Sequence, residues 1–400
     1  PIPTSIFVFK SDRSFRPFKN LYRGKPADVS GYFIGTENAN FIALTAASRD
    51  ASAIVFHEYV HYISRNNLWF LPLWFSEGLA EFYESFLVDG DTVYIGLPLI
   101  RHLALLNGRA PIPLEQLFAV TRGSELYNEA DRKGVFYAQS WAMVHYLLTR
   151  DGEDARNQLA LFFQSLERGD DTRAAFELAF DRSYLDFEGD LAAYVDRGEF
   201  PFFSLPASDP AGGTDWQPER LPAHEIYVQL GDLLTSLRPP RLSAARSHFE
   251  AALKADFDNP RAQAGLGRIA ELKGEQDEAM SRYETAAERL PHDPLVQFLY
   301  GNLIAEQLYR RSQATPGAYW NGDFDLEKAR HALATSIELR PDFAPALATL
   351  GMTDLLEDPP QRAGLDVLTD ARRLAPERSD VLHNLAVLRA RLGEFESAWH

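Results

Sequence analysis

His57-Glu58-Tyr59-Val60-His61 is an HExxH segment, and Trp74-Phe75-Ser76-Glu77-Gly78-Leu79-Ala80-Glu81 follows it, with Glu77 sixteen positions after His61. Residues four apart share one face of a helix, so His57 and His61 direct two imidazoles at a single point. Glu58 lies beside them, able to reach a water at that point but not the point itself. Glu77 offers a carboxylate from a second helical segment. Two histidines, one carboxylate and an open fourth position describe a catalytic site for one zinc ion, not a structural one. A chance pair of histidines on a helix is the other reading of HExxH alone. The apolar character of residues 51–56 and of Tyr59, Val60, Tyr62 and Ile63 argues against it, because it makes a helix that buries the site. Arg65-Asn66-Asn67-Leu68 and Leu71-Pro72-Leu73 read as a turn and a short connector between the two helices.

Together these segments resemble the gluzincin metallopeptidases, the peptidase MA-like group, in which an HExxH helix precedes a W-[LF]-x-E-G-x-A-E helix. The resemblance implies that Glu77 is the third zinc ligand. It also implies that Glu81, one turn later, orients a zinc histidine, a role that suits an acceptor facing the second imidazole nitrogen. An exposed helix carboxylate is the alternative for Glu81. Downstream, Val135-Phe136-Tyr137-Ala138-Gln139-Ser140-Trp141-Ala142-Met143-Val144-His145 is similar to the family helix that opens with an oxyanion-binding tyrosine. Tyr137 is the corresponding residue, and a phenol O–H is a suitable donor where charge develops on a carbonyl oxygen. Tyr137 reads equally as a core aromatic, as Phe136 and Trp141 do. His145 is a second candidate donor or a buried helix histidine.

The implied activity is a zinc-dependent endopeptidase acting on a peptide or protein substrate. Glu58 takes a proton from a metal-activated water and delivers it to the leaving amine. The chain departs from the aminopeptidase branch in two ways. No G-x-M-E-N segment precedes His57, so exopeptidase activity has no support, and the His61-to-Glu77 spacing is shorter than in that branch. The ligand set also accepts divalent ions other than zinc.

Residues 5–9, 30–35 and 40–44 are β-rich, and the last two read as a hairpin. In zincins the strand before the HExxH helix is the sheet edge that pairs with extended substrate. Phe41, Ile42, Ala43 and Leu44 hold that position, with a plain core strand as the alternative. Beyond Glu84 the pattern is helical over residues 97–106, 114–120, 135–148, 156–166, 172–179 and 184–194. The expected fold is an α+β zincin-like catalytic domain over residues 1–203, a proline- and glycine-rich linker over 204–221, and an all-α solenoid over 222–400.

The solenoid follows from an internal repeat. Gly231, Gly267, Gly301, Gly351 and Ala386 occupy one equivalent position, and the Gly267-to-Gly301 interval of 34 residues is the tetratricopeptide (TPR) period. Ala245, Ala279, Ala363 and Ala398 mark the second helices, with Phe249 and Tyr283 four residues beyond the first two. About five repeats are expected, the last truncated, with residues 310–325 as a loop inserted in the third. Such an array binds peptides or proteins on its concave face. Arg261, Arg268, Phe298, Asn302, Met352 and His383 are its groove candidates. They make no basic ring, so no acidic tail is expected as the ligand.

Composition narrows the rest. The chain has 400 residues, 46% hydrophobic, and a formal charge of −17, which argues against nucleic acid and anionic membranes as partners. No apolar run approaches a membrane span. With no cysteine there are no disulfides or thiolate ligands. The compartment stays open, an extracytoplasmic one being compatible. The chain starts at Pro1 and ends inside the fifth repeat, so it reads as part of a longer protein. Two functions remain: a zinc peptidase with a docking array, or a catalytically weak zincin-fold scaffold that acts through TPR protein binding.

Overall fold

The structure, a computed structural model, describes residues 3–36, 38–47, 51–67, 71–150, 153–207, 217–315, 319–320, 322–376 and 378–394. The chain forms two compact units. One comprises Thr4–Gly35 and Asn40–Gln217, the other Pro218–His400 with the short segments Pro1–Pro3 and Thr36–Ala39. No described helix is long and apolar enough to cross a membrane.

The first unit is α+β. Its elements are β1 (Thr4–Phe9), α1 (Asp12–Phe15), β2 (Leu21–Tyr22), β3 (Lys25–Pro26), β4 (Gly31–Gly35), β5 (Asn40–Thr45), α2 (Ala51–Asn67) and α3 (Leu73–Glu84). There follow β6 (Leu87–Asp89), β7 (Thr92–Ile95), α4 (Ile100–Gly108), α5 (Leu114–Phe118), α6 (Glu125–Asn128), α7 (Ala130–Thr149), α8 (Glu153–Glu167), α9 (Thr172–Phe180), α10 (Tyr184–Arg197) and β8 (Phe203–Pro206). The β4–β5 hairpin forms antiparallel, with Phe33 opposite Ile42. On its other side β5 pairs in parallel with β1, Ile6 opposite Ile42.

This topology corrects the expected substrate edge. Phe41, Ile42, Ala43 and Leu44 lie in the central strand of the sheet, hydrogen-bonded on both sides and buried throughout. The unbroken apolar run is what a strand covered on both faces requires. The parallel partner comes from far upstream, so the local hairpin pattern gave no sign of it. Among the described residues the free edges are β1 and β4.

Helix α2 packs on β4 and β5, α3 packs on α2, and α7 packs on α3. At Gly31 of β4 an added Cβ would run into Ile54 of α2, so the glycine sets how closely helix and sheet approach. Trp74, Phe75 and Phe82 of α3 join Phe136, Trp141 and Val144 of α7, Phe162 of α8 and Phe176 of α9 in one aromatic core.

A second sheet, β6-β7-β8, was not expected, and its last strand lies in the segment read as linker. Val93 pairs with Leu205, and the Ala207 N–H donates to the Asp91 carbonyl at 2.8 Å. Strands of three and four residues are too short to establish a period of two, and Ser204 and Pro206 read as turn residues. The linker's residues 208–216 lie outside the described set.

The second unit is built of helix pairs: α11 (Ala223–Ser236) with α12 (Leu242–Ala255), α13 (Pro260–Lys273) with α14 (Gln276–Arg289), and α15 (Pro294–Ala314) with α16 (Phe324–Leu339). Then come α17 (Ala344–Thr353) with α18 (Ala363–Leu374), and α19 (Ser379–Arg391). Each repeat glycine meets a large residue of the second helix in its pair. An added Cβ at Gly231 would lie 2.5 Å from the Phe249 ring, at Gly267 2.8 Å from Tyr283, at Gly301 2.9 Å from Leu333, and at Gly351 2.5 Å from Leu368. The glycines are there because the helices touch.

Three details differ from the sequence reading. Gly364, not the exposed Ala363, is the small residue of the fourth repeat, four positions before Leu368. Helix α15 continues to Ala314, so the first part of the presumed 310–325 loop is helical. Phe298 is buried against Leu333 and Phe343 and is not a groove residue. Ala398 lies outside the described residues.

Asp232, next to Gly231, is half-buried near Arg261 and Asp293, which pair with each other at 3.0 Å. Burial raises its carboxyl to about 7, Arg261 pulling against it and Asp293 adding to it. A raised carboxyl pKa means that the folded chain binds the proton more tightly than the unfolded one. The associated stability is complete below about pH 4 and is lost as pH rises through about 7. Asp232→Asn is therefore expected to raise stability at pH 8, by about 1–2 kcal/mol after allowing for solvent screening, and to change it little at pH 4. Thermal melts at both pH values check this; an equal effect at both would contradict it.

Candidate metal centre

The site forms where α2 crosses α3. His57 and His61 project from one face of α2, with Nε2 atoms 3.2 Å apart. Glu77 of α3 places Oε2 at 3.5 Å from His57 Nε2 and 3.4 Å from His61 Nε2. Three ligand atoms thus make a nearly equilateral triangle. For tetrahedral zinc with bonds of about 2.0–2.1 Å, the edges of the coordination polyhedron are about 3.3 Å. Glu77 Oε2 is buried and accepts no hydrogen bond. Two imidazole nitrogens and an orphaned carboxylate oxygen facing one another repel or go unsatisfied unless a proton or a metal cation lies among them. The donor set therefore fits a divalent metal.

The charges around the triangle favour a cation, proton or metal, among these atoms. Burial alone would raise Glu77, but the imidazoles of His61 and His57 hold it well below the ordinary carboxylate range. Burial alone would lower His57, but the neighbouring carboxylates of Glu77 and Glu84, with the charges of Glu81 and Glu58, raise it well above the usual value. Glu58 is buried next to the ligands, and burial lifts its carboxyl above the ordinary value while both histidines pull it down. A carboxylate so placed is a better base than a solvated one.

Glu81 turns toward the site but is shared. Its Oε1 lies 3.6 Å from His57 Nδ1, and Glu84 Oε2 lies 3.8 Å from the same nitrogen. Its Oε2 takes hydrogen bonds of 2.7 Å from His102 Nε2 and 2.7 Å from Arg101 Nη2. Burial works to raise Glu81, yet the His102 bond and the two histidine charges hold it at about 2. Its hydrogen bonds thus come from Arg101 and His102, with His57 only at ion-pair distance. His61 has its own support, with Ser76 Oγ at 3.3 Å from Nδ1.

Tyr137 of α7 stacks on His57 with ring centroids 6.4 Å apart, within reach of the site. His145 does not share that position. It is fully buried, bonded to the Gly96 carbonyl at 2.8 Å and Tyr194 Oη at 2.7 Å, which makes it a core histidine. Phe136 and Trp141 are core residues as read.

The sequence reading missed Tyr127, Ser76, Glu84, Arg101 and His102. Only Ser76 lay inside a quoted motif. Tyr127 reaches the site from α6 and donates to Glu77 Oε1 at 3.0 Å. Gly78 has a structural reason of its own. An added Cβ would overlap the Ser140 carbonyl and lie 2.7 Å from Val144 Cγ2, so the glycine lets α3 rest directly on α7.

Comparison with known proteins gives two family matches. A family described as a protein of unknown function, DUF1570, matches residues 50–166, which span both metal-site helices and all of α7. The tetratricopeptide repeat family matches residues 241–303. A curated relative, the CTR9 homolog of Arabidopsis thaliana, is 30% identical over 186 residues, covering 40% of this chain; the chain spans 17% of that relative's length. Among solved structures, the TPR protein YrrB, described as having an unusual peptide-binding site, is 19% identical with a TM-score of 0.34, over 43% of this chain and 79% of that one. The thermophilic TPR protein TTC0263 of Thermus thermophilus is 24% identical with a TM-score of 0.35, over 44% and 86%. PilF of Pseudomonas aeruginosa is 23% identical with a TM-score of 0.36, over 44% and 72%. The repeat match and the helix pairing together establish that the C-terminal half of the chain carries tetratricopeptide repeats.

Proposed function

We propose that the first unit is a zincin-like, zinc-dependent peptidase centre and that the repeats dock its substrate or a partner protein. The observation that carries this reading is the triangle of His57 Nε2, His61 Nε2 and Glu77 Oε2, with its orphaned buried oxygen. A zinc ion held by these three residues would polarise a carbonyl and lower the pKa of a coordinated water to near neutrality. Glu58, desolvated beside the ligands, receives a proton and returns it to the leaving amine. Tyr137 is placed to donate a hydrogen bond to a developing oxyanion. Glu81, Glu84 and Ser76 keep the imidazoles aimed inward. β4, an end strand of the sheet among the described residues and packed beside α2, is the strand on which an extended substrate would add.

The second reading, a catalytically weak scaffold, is favoured by the repeats, since protein binding is what tetratricopeptide arrays do. Stoichiometry comes first in separating the two. The purified chain is expected to hold one zinc per molecule by elemental analysis. Glu77→Gln should lower zinc affinity by at least about 10-fold, because a neutral amide replaces an anionic ligand. Wild type that takes up no divalent ion would leave only the scaffold. The cleavage assay that follows is set out in the Discussion.

A further inference from the structure

We infer that Tyr127 is a positioning residue that makes Glu77 a one-oxygen ligand; the inference rests on the metal-centre reading above. A carboxylate beside a cation can bind through one oxygen or both. At Glu77 the two oxygens have different company. Oε2 faces both histidine Nε2 atoms at 3.4 and 3.5 Å, while Oε1 accepts the Tyr127 hydroxyl at 3.0 Å. A hydrogen bond on Oε1 holds that oxygen away from the triangle and stops the carboxylate from rotating. The fourth position is thereby left to water and substrate, as a catalytic site requires.

The phenol is itself held in place. Its ring stacks on Tyr137 at 6.0 Å and meets the edge of Phe136 at 6.0 Å. The turn that carries it is tied by Asn128, whose Nδ2 donates to the Arg122 and Ser124 carbonyls at 2.7 and 2.9 Å. The two tyrosines are linked: Tyr127 addresses the ligand, and the Tyr137 ring stacks on both Tyr127 and His57.

The test uses the full chain stripped of metal and titrated with Co2+, as wild type, Tyr127→Phe and Tyr94→Phe. Affinity is read by chelator competition and coordination by the visible d–d spectrum. Tyr127→Phe should bind about 10–100-fold more weakly. Its Co2+ band should lose intensity, because a second oxygen raises the coordination number above four. Tyr94→Phe, on β7 of the second sheet, where the ring meets Phe202, should match wild type in both readouts, and Tyr127→His, which keeps a ring and a donor, should recover part of the affinity. Melting of the metal-free proteins separates these effects from misfolding. Tyr127→Phe with wild-type affinity and spectrum overturns this inference alone. Wild type that binds no Co2+ overturns it together with the metal centre.

Discussion

Glu58→Gln is expected to keep one zinc per chain and to lose about 10²–10⁴-fold in peptide hydrolysis. Metal binding and proton transfer sit one residue apart. Glu58 is not a corner of the ligand triangle, so removing its charge leaves His57, His61 and Glu77 in place. It is the buried carboxylate beside that triangle, and Gln cannot accept the proton. The measurement is cleavage of a broad peptide library by wild type and variant, each assayed for zinc. Equal inertness of both proteins with zinc bound would sink the peptidase reading and leave the scaffold. Loss of zinc from the variant would show that Glu58 had been misplaced.

Gly78→Ala should be among the most destabilising single substitutions in the first unit, by about 3 kcal/mol or more. The new methyl would overlap the Ser140 carbonyl, which is backbone and cannot turn aside, and would crowd Val144. To accept it, α3 must move off α7. That motion carries Glu77, the preceding residue, away from the histidines. The variant should therefore lose metal affinity along with stability. Urea unfolding of the metal-free chain and zinc titration measure the two effects. A variant as stable as wild type would mean that the α3–α7 approach is looser than described.

Part of this was legible in the chain and part was not, for reasons that can be named. The histidines four apart needed only helical geometry to share a face. The repeat glycines needed only their period, and the close approach to Phe249, Tyr283, Leu333 and Leu368 explains why the period exists. The strand Asn40–Thr45 misled because an apolar run next to a hairpin turn looks the same at an edge or in the centre. The partner that decided its place, β1, is distant in sequence. Tyr127, Arg101 and His102 carried no signal because each reaches the site from an element whose own pattern concerns only its own packing.

What the sequence determined by itself was local: which residues share a helix face, where small residues recur, and which ionisable groups stand close along the chain. The tertiary structure alone decided which way the Glu77 carboxylate faces, which strand has a free edge, and how Arg101 and His102 share Glu81 with His57. Those are meetings between elements. They depend on the angle and separation at which helices cross, set by Gly31 and Gly78 where a single methyl would not fit.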